Sequence, residues 1–223
     1  MPTINSFIRL LHVSPGTPRV DVYADGNLII KNLSYDDISR YLSVGPENMH
    51  IQIFAAGDNT TPLIDTEVTI PPSTRITVAL IGISPDISLL PIFFNVAPRD
   101  TNDALLRFVN LAPNIGSLDV RVVNGQLAFN NVAYTQVTDF ENITPGEYDV
   151  ELRLSGEDQL ILTDDVELDA GRAYTIYAFG LLGREPFLEI DDYEDLIPSI
   201  GKVDIKEKVS STNRGTKITF IYA

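Results

Sequence analysis

The run Arg9-Leu10-Leu11-His12-Val13-Ser14-Pro15 returns 98 residues later as Arg107-Phe108-Val109-Asn110-Leu111-Ala112-Pro113. Asp21-Val22 matches Asp119-Val120 at the same offset, and Gly26, Asn32 and Tyr35 match Gly125, Asn131 and Tyr134 at offset 99. Pro46/Pro145 and Gly57/Gly156 keep the correspondence, and offset 98 resumes at Val68/Val166, Thr77/Thr175 and Gly82/Gly180. One residue gained and later lost is what changes in loop length produce between two copies of one unit. A period near 98 residues is far longer than a solenoid repeat and long enough for a domain. The chain must therefore fold the same way twice, over 1–100 and 101–199, with 200–223 left over.

Each copy reads in period two. Val20-Asp21-Val22-Tyr23-Ala24, His50-Ile51-Gln52-Ile53-Phe54 and Tyr148-Asp149-Val150-Glu151-Leu152-Arg153-Leu154 alternate between apolar and polar. Alternation places one set of side chains on a core and the other in water. Leu63 to Ile70 and Arg75 to Ile83 are further strands rich in β-branched residues, as are Leu160 to Leu168 and Ala173 to Leu181. Asp25-Gly26-Asn27, Gly57-Asp58-Asn59, Pro71-Pro72, Asn124-Gly125 and Asp169-Ala170-Gly171 supply the turns. Ser34 to Leu42 fits a helical turn or a strand. About seven short strands per ~100 residues predict an all-β chain of two tandem immunoglobulin-like antiparallel β-sandwiches.

Composition excludes several functions. With no Cys among 223 residues, disulfide scaffolds, thiolate metal sites and Cys nucleophiles are ruled out. A net charge of −15 argues against nucleic acid as a partner. No apolar run approaches the ~20 residues that span a bilayer. The opening Met1-Pro2-Thr3-Ile4-Asn5-Ser6-Phe7 has neither the basic nor the apolar region of a signal peptide. The charge is also uneven. Residues 1–100 carry a net −4, residues 101–200 a net −14 and residues 201–223 a net +3. An acidic body and a basic tail attract, within one molecule or between neighbours.

His12-Val13-Ser14-Pro15-Gly16-Thr17-Pro18-Arg19-Val20-Asp21-Val22-Tyr23-Ala24-Asp25-Gly26 resembles the opening of the bacterial DUF4397 domain, VHASPDAPAVDVYVDG. Asn32-Leu33-Ser34-Tyr35, Pro145-Gly146-Glu147-Tyr148-Asp149-Val150 and Ala170-Gly171-Arg172-Ala173-Tyr174-Thr175 are similar to later segments of that family. The second copy departs from the motif with Asn110 in place of His and Arg121 in place of Tyr. The resemblance implies β-sandwich modules, often in tandem, on bacterial surface or envelope proteins. It implies no catalytic residue.

Few residues suggest chemistry. His12, Ser14 and Asp21 could form a base, nucleophile and orienting acid, but no G-x-S-x-G elbow surrounds Ser14. The second copy offers Asn110 and Ala112 at the equivalent positions, so the expected catalytic set is none. The structural reading has His12 bonding the Ser14-Pro15 turn. Asp21 and Asp119 would each accept backbone N–H bonds from the preceding Ser-Pro or Ala-Pro turn or, alternatively, share a Ca²⁺ site with a loop carboxylate. Asp191, Asp192, Glu194 and Asp195 form the densest acidic run and are the weak metal candidates; no cofactor is expected, with Ca²⁺ as the alternative. Acidic runs of this kind are more often solvated faces.

Beyond Gly201 the chain alternates again. Lys202 to Val209 and Lys217 to Ala223 read as a strand pair around a turn-rich Ser210 to Gly215, similar to the start of a third repeat. A lone hairpin is marginal in water, so it must dock, on its own second domain or on the sheet edge of a neighbour. Lys202, Lys206, Lys208, Arg214, Lys217, Phe220 and Tyr222 are the interaction candidates. The expected function is a non-enzymatic, self-assembling structural protein of a bacterial cell surface or spore surface. Its partners would be its own copies or other surface proteins. A ligand- or glycan-binding adhesion module is the alternative, and a Ca²⁺-binding surface domain the third.

Overall fold

The computed structural model describes residues 5–45, 48–94, 96, 102–124, 127–157, 159–195, 205–210 and 217–222. The first repeat forms β1 (Ser6–His12), β2 (Val20–Ala24), β3 (Asn27–Leu33), β4 (Asp37–Ile38), β5 (Leu42–Val44), β6 (Asn48–Ala55), β7 (Ile64–Thr69), β8 (Arg75–Ile83) and β9 (Asp86–Phe94). The second forms β10 (Ala104–Asn110), β11 (Ser117–Val122), β12 (Leu127–Ala133), β13 (Glu141–Ile143), β14 (Gly146–Leu154), β15 (Leu160–Leu168), β16 (Ala173–Phe179) and β17 (Glu189–Asp195). β18 (Ile205–Ser210) and β19 (Lys217–Tyr222) pair antiparallel, from Ile205 opposite Tyr222 to Ser210 opposite Lys217. Every regular element among the described residues is a strand, and none is a helix able to cross a membrane.

The chain is all-β and each repeat makes a β-sandwich. In the first, β4 and β5 flank β1, followed by β8 and β9; the second sheet runs β3-β2-β6-β7. The second repeat copies this as β13-β10-β16-β17 and β12-β11-β14-β15. The ambiguous Ser34–Leu42 segment resolves as a turn followed by two short strands. Both pair antiparallel with β1.

Strand order and direction refine the sequence expectation. An immunoglobulin sandwich keeps its first two strands in one sheet; here β1 and β2 lie in different sheets. β1 also runs parallel to β8, from Phe7 opposite Arg75 to His12 opposite Leu80, and β10 runs parallel to β16. Parallel neighbours need a long crossover instead of a hairpin. The β2, β3, β6 and β7 sheet serves as that crossover, which local periodicity does not disclose.

The first core forms between the sheets. Leu10 and Leu80 meet Val20, Val22, Ala24, Met49, Ile51 and Ile53, while Ile8, Ile70 and Ile76 close one end. A fully buried aliphatic side chain of this kind contributes roughly 1.5–3 kcal/mol. β6, β7 and β14 alternate as expected. The parallel pairs do not: all seven positions of β10 and of β16 are buried, and Leu11, Ala79, Ile81 and Ile92 are buried as well as Leu10 and Leu80. Both faces of these central strands are covered, as is usual around parallel strands, while the flanking β9 and β13 keep exposed positions.

By compactness the chain divides into two units. One is Met1–Asn95 with Leu111–Gly116 and Phe179–Glu189; the other is Val96–Asn110 with Ser117–Ala178 and Ile190–Ala223. Gly82 and Gly180 mark matching points at φ +93 and +90. A Cβ there would lie 2.2 Å from the carbonyl oxygens of Asp86 and Phe187, so only glycine fits.

An arginine is buried on the first strand of each repeat. Arg107 is 3% exposed; its Nε donates to Thr175 Oγ1 at 2.8 Å and its Nη2 to Asp195 Oδ2 at 3.4 Å. The Thr175 hydroxyl donates to the same carboxylate oxygen, and the Phe140 ring centroid lies 4.3 Å from the guanidinium carbon. Arg9 repeats the pattern, with Nε on Thr77 Oγ1 at 2.9 Å and its guanidinium carbon 4.6 Å from the Tyr41 ring centroid. Arginine stays charged, so removing its counter-charge leaves a buried cation. Asp195→Ala is expected to destabilise the second sandwich by about 3–5 kcal/mol. Glu194→Ala, which removes a more exposed pair with Arg172, should cost about 1 kcal/mol or less. Calorimetric unfolding of the two variants checks the difference, and equal shifts would refute it.

Candidate functional site

The repeated motif lies where β1 ends. His12 is fully buried. Its Nε2 is 3.0 Å from the Pro18 carbonyl oxygen, and the Ser14 N–H donates to Nδ1 at 3.4 Å. Accepting at Nδ1 leaves the proton on Nε2, which donates to Pro18, so both nitrogens are engaged by a neutral ring. Ser14 Oγ donates to the Gly82 carbonyl at 2.9 Å and lies 2.8 Å from Thr17 Oγ1. Asp21 accepts the Asn32 N–H on Oδ1 at 2.7 Å and the Gly57 N–H on Oδ2 at 3.1 Å. A hydrolytic triad needs the acid on the histidine and the histidine on the nucleophile's hydroxyl. Here each of the three side chains fastens backbone instead.

His12 bonds the Ser-Pro turn as its position predicted. Asp21 corrects one detail, because its donors are Asn32 and Gly57 and not the turn preceding it. The reason is a bulge. Register shifts between Val20 and Val22, and Asn32 takes φ +57. The second copy repeats this: register shifts between Leu118 and Val120, Asn131 takes φ +53, and its N–H donates to Asp119 Oδ1 at 2.6 Å. Asparagine tolerates this left-handed backbone, and the facing carboxylate holds the freed N–H. Asn110, standing where the first copy has His12, donates from Nδ2 to the Val132 carbonyl at 3.0 Å.

The acidic run lies on β17, whose pleat sends its carboxylates to both faces. Asp195 joins Arg107 and Thr175, Asp191 accepts the Tyr193 hydroxyl at 2.9 Å, and Glu194 pairs with Arg172. Asp192, on the Glu194 side of the strand, is half-buried. A hard cation needs several oxygens converging, and among the described residues no three His, Asp or Glu gather as such a cage. Arg9 and Arg107 carry no role legible from one copy of the sequence alone. The signal was an arginine inside an apolar strand in both copies, with Thr77 and Thr175 at the same offset.

A second arrangement is electrostatic. On the outer face of the β12-β11-β14-β15 sheet, Glu147 stands opposite Glu167 and Asp149 opposite Asp165. All four are exposed and line, with Asn124, a shallow hollow of about 400 Å³. Of the interaction candidates, Lys206, Lys208, Lys217, Phe220 and Tyr222 lie on the β18–β19 backbone, while Lys202 and Arg214 fall outside the described residues.

Burial lowers the pKa of His12, against the opposing pull of the Pro18 carbonyl and of Asp37. The unfolded chain therefore takes up the proton first. His12 stability is complete above about pH 6.5 and is lost as pH falls from there toward the folded value. His50 has the opposite sign: its bond to Asp65, 2.6 Å from Nε2 to Oδ1, raises its pKa. Its contribution is present in acid and fades as pH rises. Melting of the first sandwich between about pH 7.5 and 5.5 should therefore fall less in His12→Asn and more in His50→Gln than in the parent. Identical slopes in all three proteins would refute the assignment.

The model of the family described as a domain of unknown function, DUF4397, matches residues 6–121 and 122–206. No curated protein matches the chain. Among solved structures, one named "putative cell adhesion protein" from Bacteroides ovatus is 12% identical, covering 89% of this chain and 100% of its own, at a TM-score of 0.25. Structures given the same name come from Bacteroides eggerthii and Bacteroides fragilis. The first is 9% identical over 88% of this chain and 97% of its own; the second is 12% identical over 86% and 98%. Both have a TM-score of 0.24. Superpositions this loose carry no argument about the present chain.

Proposed function

The chain belongs to the DUF4397 family, which it carries in two tandem copies, and from that premise we propose a non-enzymatic structural role, as a self-associating building block of a bacterial surface. The observation that supports it most is how the two copies use their common residues. His12, Ser14, Asp21, Asn110 and Asp119 all hold backbone, and the Arg9 and Arg107 clusters hold sheets. The surface setting rests on the resemblance to envelope modules. Self-association rests on polarity along the chain: a body of net −14 over 101–200 is followed by a tail of net +3.

Opposite charges on separate surfaces attract over about 10 Å at 0.1 M salt and less as salt rises. Full-length protein is therefore expected to form oligomers that dissociate in high salt. A chain lacking residues 202–223 should stay monomeric while both sandwiches unfold as in the parent. Sedimentation at low and high ionic strength measures the first point and calorimetry the second. A full-length protein that stays monomeric at every concentration ends this reading and favours the adhesion-module alternative.

A further inference from the structure

We propose that the exposed face of the β12-β11-β14-β15 sheet is the receptor for the β18–β19 hairpin of a second copy, an inference that rests on the self-association reading. The charges on that face are sorted in two ways. Between β11 and β14 the register sets Asp119 opposite Arg153 and Arg121 opposite Glu151, and Glu151 also pairs with Arg153 at 2.9 Å. Between β14 and β15 it sets Glu147 opposite Glu167 and Asp149 opposite Asp165. Like charges directly opposed across strands destabilise a sheet. None of these four carboxylates makes an ion pair among the described residues. One end of the face is thus internally neutralised, and the other presents a concave patch of one sign.

The complement lies in the same chain. Four of its five lysines are Lys202, Lys206, Lys208 and Lys217. The hairpin register opposes Lys206 to Ile221, Lys208 to Thr219 and Ser210 to Lys217, so the positions of Lys206, Lys208 and Lys217 share one face of the ribbon. Lys206 and Lys208 recur at the two-residue strand period of about 6.7 Å, as do Glu147 and Asp149 on β14 and Asp165 and Glu167 on β15. Among the described strands, β18 and β19 pair only with each other. A free two-stranded ribbon is marginal in water, and the three lysine positions on one face of this ribbon complement the carboxylate patch in sign and strand spacing, so the occupant we assign to the patch is the hairpin of a second copy. Tail on body is a heterologous contact, and repeated without closure it extends into a filament.

Zero-length carbodiimide coupling joins lysines to carboxylates in contact, and the scarcity of lysine in the sandwiches makes the result readable. In an equal mixture of unlabelled and ¹⁵N-labelled full-length protein, cross-links should join Lys206, Lys208 or Lys217 to Glu147, Asp149, Asp165 or Glu167, with mixed-isotope pairs present. Glu147→Lys/Asp149→Lys should weaken association at least tenfold, and mixing it with Lys206→Glu/Lys208→Glu should restore association. If the first variant fails to fold, the tail variant and the cross-link map decide. Oligomers whose cross-links reach other carboxylates overturn this receptor face and leave self-association standing. Cross-links confined to single-isotope pairs overturn docking between molecules. A strictly monomeric protein overturns both.

Discussion

Each sandwich depends on one pairing, in which its first strand lies parallel to its sixth long strand. The contact between β1 and β8, and its copy between β10 and β16, joins the start of a repeat to its far end. It brings both ends of the repeat into one sheet, opposite the antiparallel β3-β2-β6-β7 sheet in the first copy and β12-β11-β14-β15 in the second. It also sets Arg9 beside Thr77 and Arg107 beside Thr175, each pair 68 residues apart in sequence. A buried guanidinium tolerates little misplacement, because desolvating it is offset only by well-aligned partners. Asp195 from β17 and the ring of Phe140 complete that alignment in the second copy. The arginines therefore select a register that apolar contacts alone would leave loose.

Much of this was legible in the sequence. Strands such as Val20–Ala24 and Gly146–Leu154 announce themselves by local alternation and flanking turns, and local signals need no knowledge of the rest of the chain. The repeat doubled every such signal. Non-local facts stayed hidden. Strand order depends on which distant segments meet, and period two is the same for parallel and antiparallel neighbours. Burial of both faces of β10 and β16 cannot be read from Ala104–Asn110, because Arg107 and Asn110 interrupt the apolar run just as solvent-facing residues would. The Ser34–Leu42 segment resisted assignment because β4 and β5 have only two and three residues.

The candidate residues show the same division. Asp21 and Asp119 read from the sequence as backbone-bonding residues, and their chemistry is the capture of an N–H. Their donors are set by the bulge at Asn32, which faces Asp21 and is a property of two strands together. The acidic stretch at 191–195 looked like a single cluster in sequence. A pleated strand divides such a cluster between its faces, and partners drawn from β10 and β16 then distinguish Asp195 from Glu194. By contrast, the like-charge ladder of Glu147, Asp149, Asp165 and Glu167 is visible only once β14 and β15 are in register.

The parallel closure also governs how a nascent chain must wait. Arg9 leaves the ribosome 68 residues before Thr77 does, a delay of roughly 3–14 s at about 5–20 residues per second. During that interval β1 has only the short β4 and β5 for native neighbours. The second repeat later offers, at β16, a slot with the same direction and the same threonine. Two interchangeable berths in one polypeptide make strand exchange between repeats the characteristic misfolding hazard of this architecture.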